Sequence, residues 1–146
     1  MTLGAFTGYF RERNSLKNIT HPYSAYKAHI VLGVIYDVAD GIDECKTYTL
    51  DQLNEIVSVI NNFQFFVREK WEIAIDRPGS GNTKNIGSVH KIEDLLNGKG
   101  TFSELGEDVF NDYWMYYLTA DMARKAELPK PYYTNISEYK KFKHIE

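Results

Sequence analysis

Apolar residues recur along the chain at helical spacing, in segments separated by Gly, Pro and polar clusters. Ala25, Ala28, Val31, Leu32, Ile35, Val38, Ala39 and Ile42 follow an i, i+3, i+4, i+7 rhythm. This predicts a first helix from about Pro22 to about Glu44, with one stripe against a core. Thr49 followed by Gln52 has the spacing of a capping box, in which a hydroxyl and an amide satisfy backbone donors at a helix start. A second helix is therefore predicted from Leu50 to about Asp76, ahead of Pro78 and Gly79. Its stripe is Leu53, Ile56, Val57, Ile60, Phe63, Val67, Trp71 and Ala74.

Residues 77–88 are rich in Gly, Ser and Asn without apolar periodicity, and predict an exposed, flexible loop. A short helix from Val89 to Leu96 then stops at Asn97 and Gly98. Thr101 with Glu104 forms a second capping box, opening a long helix to about Glu127, before Pro129. Residues 1–20 read as an arm and 129–146 as a tail with a final turn from Asn135. The expectation is an all-α single domain over residues 1–146: three long helices plus one or two short helices in a compact bundle, with the N-terminal arm and C-terminal tail packed on it.

Two of these helices carry apolar side chains on more than one face. At ~100° per residue, Val59, Phe66 and Ile73 fall together, away from the second helix's main stripe. On the last long helix Trp114, Leu118 and Met122 lie nearly opposite the stripe of Phe102, Leu105, Val109, Tyr113, Tyr116, Ala120 and Ala123. Composition sharpens the point, since eight Phe, eleven Tyr and two Trp make 14% of the chain, and rings in such excess need burial or a partner. The arm (Phe6, Tyr9, Phe10) and the tail (Tyr132, Tyr133, Phe142) could cover these faces. An oligomer or partner protein could cover them instead, or they could line a small-molecule cavity. For a partner, the candidate anchors are Trp114, Leu118, Met122, Phe66 and Ile73.

Charge narrows the partner. With 17 basic against 20 acidic residues, a net −3, no global positive field attracts phosphates, and nucleic acid is not expected to bind. Cys45 is the only cysteine, so no intramolecular disulfide forms, and it reads as structural or incidental. Arg11, Glu12 and Arg13 interrupt the N-terminus before a signal-peptide core develops, and the longest apolar run, Ile30 to Tyr36, is too short to span a bilayer. A cytoplasmic protein follows, of a cell or of a virus inside its host.

The candidate chemistry is acidic. Asp37, Asp40 and Glu44 lie at i, i+3, i+7, and Glu104, Glu107 and Asp108 crowd the start of the last long helix. Facing helices so furnished can hold Mg²⁺ through carboxylate oxygens, as all-helical nucleotide pyrophosphatases do. Asp37, Asp40, Glu104 and Glu107 are thus the metal candidates of an alternative reading, a Mg-dependent all-α nucleotide hydrolase. Against it, the first trio projects onto a solvated face, and acids in a first helical turn follow from the helix dipole alone. Asp112 sits near the core boundary, with Arg68 as a candidate partner. His21, His29, His90 and His144 lack zinc-ligand spacing, and His29 falls on a polar side. Gly79 to Lys84 look faintly like a phosphate cradle, but follow a predicted helix where such a loop follows a strand.

Gly4-x-Phe6, Phe10-Arg11-x-Arg13 and His21-Pro22-x-Ser24 resemble a short stretch of the aminoglycoside N-acetyltransferase family, which would imply acetyl-CoA. Nothing downstream fits that family's α/β body, so the match carries no expectation. The function expected is a non-catalytic helical protein–protein interaction module, an assembly component or an inhibitor, using the aromatic face of the last long helix. It would need no cofactor, and its partner would be another protein or a second copy of itself.

Overall fold

The computed structural model describes residues 1–6, 10–12, 14, 20–22, 25–43, 45–79 and 84–145. In chain order its elements are β1 (Thr2–Ala5), β2 (Ile30–Val38), a 3-10 turn (Leu50–Glu55), β3 (Ile60–Glu69), α1 (Lys70–Ile73), β4 (Ala74–Pro78), β5 (Asn85–Ser88), α2 (Ile92–Asn97), α3 (Glu107–Tyr116), α4 (Ala120–Lys125) and α5 (Ile136–Lys143). The all-α bundle is therefore wrong; the fold is mixed α/β. The chain divides into two compact units, one of Met1–Val31 with Arg68–Glu146, the other of Leu32–Val67.

Neither of the first two predicted long helices forms: β2 runs through the first, and the second holds the 3-10 turn, β3, α1 and the start of β4. Ile30, Val31, Val34, Ile35 and Val38 are β-branched, as suits a pleated strand. In a run this dense in apolar residues a helical stripe can be found whether or not a helix exists. Thr49 does cap a turn, its N–H donating to Gln52 Oε1 at 3.2 Å. That turn, however, ends at Glu55, and Ile56 is already extended.

β2 and β3 form a two-stranded sheet. Ala39 N–H donates to the Val59 carbonyl at 3.0 Å, and Lys70 N–H to the His29 carbonyl at 2.8 Å. Asn62, at φ 52°, absorbs the one-residue shift between those two registers. Gly33 is required in β2, because a Cβ there would lie 1.9 Å from the Phe66 ring packed on it.

The larger unit is built on a three-stranded antiparallel sheet in the order β1-β5-β4, with Thr2 opposite Gly87 and Ala74 opposite Ser88. Aromatic rings fill the space beside it. Phe6 lies 5.0 Å from Trp114, Tyr113 lies 5.3 Å from Phe102 and 5.0 Å from Tyr133, and Tyr133 lies 5.1 Å from Tyr139. Ring pairs at such separations add to simple area burial. The arm and the tail thus cover the last helices from within the chain; Tyr9, the arm's third ring, lies outside the described residues.

The predicted long helix from Thr101 is two helices, and the Thr101–Glu104 box does not open the first: residues 101–105 form turns, and α3 begins at Glu107 after Gly106. It breaks at Tyr117, which is extended, and restarts where Thr119 Oγ1 accepts from Met122 N–H at 3.2 Å. The stop at Gly98 is present as a left-handed cap, φ 63°, and Asn135 caps α5 by accepting from Glu138 N–H at 3.0 Å. Of the segment predicted as a loop, Arg77 and Pro78 end β4 and residues 85–88 form β5. Among the described residues no helix is long and apolar enough to cross a membrane.

Candidate functional site

The β4–β5 connection is held from below by unusually fixed partners. Tyr113 Oη donates to the Asp76 carbonyl at 2.6 Å, and the Asp76 carboxylate accepts from Ile136 N–H at 2.9 Å. Gly79 N–H donates to the Asn85 carbonyl at 2.8 Å, closing the base of the connection, and Phe6 N–H donates to the Lys84 carbonyl at 2.9 Å. Gly87 allows the two strands to approach here, since a Cβ would lie 2.6 Å from the Arg77 carbonyl. Burial of Tyr113 and the neighbouring Asp76 raise the phenol's pKa, so it stays protonated as a donor.

From this base Arg77 projects with 76% of its side chain exposed, 3.8 Å from Asp76, and Lys84 is exposed on the other limb. Between them the sequence reads Gly79-Ser-Gly-Asn-Thr, of which Ser80 to Thr83 lie outside the described residues. The connection follows a strand, not a helix, so the reason for discounting its phosphate-cradle character disappears. It leads into a second strand rather than a helix, which makes it a hairpin and not a nucleotide P-loop. The sequence signal was Gly-rich turn residues between the apolar runs Ile73–Ala74–Ile75 and Ile86, which is a hairpin pattern.

Charge is unevenly distributed. Residues 32–67 hold one basic residue, Lys46, against six acidic ones, a net −5, which leaves sixteen basic against fourteen acidic in the larger unit, a net +2. The overall −3 therefore hides a basic unit that carries the hairpin.

Asp37 and Asp40 belong to the smaller unit, Glu104 and Glu107 to the larger, and among the described residues no group of three His, Cys, Asp or Glu side chains could hold a metal ion; Glu44 lies outside them. Asp112 accepts from Tyr139 Oη at 2.6 Å and pairs with Lys143 at 2.8 Å, not with Arg68. Burial alone would raise its pKa, but the bonds from Lys143 and Tyr139 outweigh that and lower it. Arg68 instead donates through Nε, at 3.1 Å, to the Leu96 carbonyl at the end of α2. The metal-clamped hydrolysis of phosphodiesters requires convergent carboxylates, and this described donor set does not fit it.

Of the predicted anchors, Trp114 and Ile73 have no exposed surface and Phe66 is buried; Leu118 and Met122 are half-buried. Trp114 is a core residue because Phe6 and Tyr117 pack on it. His29 is half-buried, its pKa lowered by burial and then by Lys70. Burial pushes the Lys70 ammonium down to about 8, against the Phe10 ring at 5.8 Å. Cys45 is exposed.

A mixed α/β fold with a glycine-rich hairpin on a basic unit has a counterpart among known proteins. The chain belongs to a family of restriction endonucleases, the one described as restriction endonuclease EcoRV, which it matches over residues 1–144. The type II restriction enzyme EcoRV of Escherichia coli is 43% identical to it over 141 residues, 95% of this chain and 54% of the relative. The chain thus spans about half the length of that relative. Membership in a nuclease family overturns the expectation of a non-catalytic interaction module, assembly factor or inhibitor, and the all-α hydrolase alternative falls with the all-α fold. The exclusion of nucleic acid is overturned too. It rested on net charge summed over two units of opposite sign, whereas binding depends on the local field.

Proposed function

We propose that the chain acts on DNA as part of a type II restriction endonuclease, with the β4–β5 hairpin as a DNA-contacting element. Membership of the endonuclease family over nearly the whole chain carries this reading. The hairpin supports it, because Arg and Lys side chains position a protein on phosphates while Asn, Ser, Thr and backbone N–H groups read base edges and sugar. Arg77 and Lys84 flank such residues on a base fixed by Tyr113 and Asp76. Hydrolysis would call on carboxylates beyond those that the described residues bring together. The role places the chain in the cytoplasm, with the DNA.

The test is duplex binding by fluorescence anisotropy across a salt series. The chain should bind, with affinity falling as salt rises, because phosphate contacts release counterions. Arg77→Ala with Lys84→Ala should weaken binding and flatten the slope by about 2. Binding that the double variant leaves unchanged would remove the hairpin from the interface, and no binding at low salt would remove DNA from the reading.

A further inference from the structure

The register of the β2–β3 sheet sorts its side chains into two unlike faces. Asn62 Nδ2 donates to Asp37 Oδ2 at 2.8 Å, and the Phe66 ring lies over Gly33. Residues 33 and 37 of β2 therefore share a face with 62 and 66 of β3. By the twofold period of a strand the other face carries Leu32, Val34, Tyr36 and Val38 beside Phe63, Phe65 and Val67. Ring separations agree, Tyr36 to Phe63 at 6.3 Å and Phe63 to Phe65 at 6.4 Å. All seven of these apolar side chains are between 47% and 71% exposed.

Seven exposed apolar side chains on one sheet face form a contiguous patch of the kind that marks an interaction site. Phe66 is the only buried residue described between Leu32 and Val67, and a lone two-stranded hairpin is marginal without cover. The face itself carries no Lys or Arg to meet phosphates, and Lys46 is the one basic residue between Leu32 and Val67, so its chemistry suits an apolar polypeptide surface. The relative's length indicates what supplies the cover, because the match takes up only 54% of it, and nearly as much polypeptide again builds the rest of that protein.

We infer that this apolar face of β2 and β3 is a docking surface for polypeptide carrying the remainder of the endonuclease fold. Leu32, Val34, Tyr36, Phe63, Phe65 and Val67 form its seat. The inference rests on family membership and not on DNA contact.

The experiment mixes the full chain with a separately produced polypeptide, the part of the Escherichia coli relative outside the match. Light scattering after size exclusion, and a dye sensitive to exposed apolar surface, report the outcome. A 1:1 complex that quenches the dye is expected. Phe65→Asp and Val34→Asp should weaken the complex about a hundredfold or more, whereas Gln64→Asp, on the opposite face, should leave it intact. Near-UV circular dichroism checks that the aromatic core of the larger unit persists in each variant. No complex, or a complex that Phe65→Asp leaves unchanged, overturns the inference. So does a homodimer of the chain that Phe65→Asp dissociates, since a second copy would then occupy the face. DNA binding measured on the same Phe65→Asp sample separates this result from the hairpin reading, because it should be retained whichever way docking falls.

Discussion

The two units spend their apolar residues in opposite ways. In the larger one Phe6, Phe102, Tyr113, Trp114, Tyr133 and Tyr139 are buried against one another, and the side chains exposed at the β4–β5 connection, Arg77 and Lys84, are charged. In the smaller one Leu32, Val34, Phe65 and Val67 face water, and the charges are almost all acidic. Apolar content alone thus says little about which unit holds itself together; what differs is whether the sequence also supplies a second layer. The larger unit has its arm, α3 and α5. Among the described residues the smaller has two strands and a 3-10 turn in which no residue is buried.

The sharpest way to break this contrast is to truncate a residue of the self-sufficient core. Trp114→Ala should cost about 3–5 kcal/mol, measured by urea unfolding of the full chain. Trp114→Phe should cost far less, because the indole N–H has no acceptor among the described residues and its loss orphans nothing. Equal losses for the two variants would contradict the packing described.

Lys70→Met should stabilise the larger unit at neutral pH, by on the order of 2–3 kcal/mol. Lys70 has a folded pKa of about 8 against an ordinary value of 10.5. The unfolded chain therefore binds more protons between those values, and stability rises with pH across that window. The variant should lose that rise, as unfolding midpoints from pH 7 to 10.5 would show.

Tyr113→Phe removes the bond to the Asp76 carbonyl beneath the hairpin and should cost about 1–3 kcal/mol. DNA affinity should fall with it if the base positions Arg77. Asp112 titrates in the opposite sense to Lys70. Its pKa is lowered in the folded state, so its contribution is present above the ordinary carboxylate value and is lost as pH falls through the folded one. Lys143→Ala should reduce that acid sensitivity, by a small amount that salt diminishes further, because both side chains are about a third exposed. The smallest effect belongs to the other unit: Phe65→Ala should shift stability of the isolated chain by no more than about 0.5 kcal/mol. A large loss there would mean the face is already covered.

How far the sequence could be read follows the same division. Local signals written in turn and cap residues were legible: the left-handed stop at Gly98, the Asn135 start of α5, the Thr49–Gln52 turn, and an arm and tail that bring Phe6, Phe10 and Tyr133 onto the last helices. Element type was not, wherever apolar residues were dense. Ile30–Val38 satisfies a 3.6-residue period and a 2-residue period alike, and its β-branched content was the signal that should have decided between them. Trp114 looked like an anchor because nothing local says that Phe6, more than a hundred residues away, covers it. The candidate site was hidden for two reasons: the residues before Gly79–Lys84 have helical apolar spacing although they form a strand, and the net charge adds units of opposite sign.

Hydrogen exchange of the full chain, with and without duplex DNA, tests the central claim most directly, because one measurement covers both units. The account predicts that DNA slows exchange at Arg77 to Ser88 and in the strands that flank this connection, while β2 and β3 between Leu32 and Val67 exchange as before. Protection of β2 and β3 with none at the β4–β5 hairpin would contradict it, and would assign the DNA contact to the acidic unit.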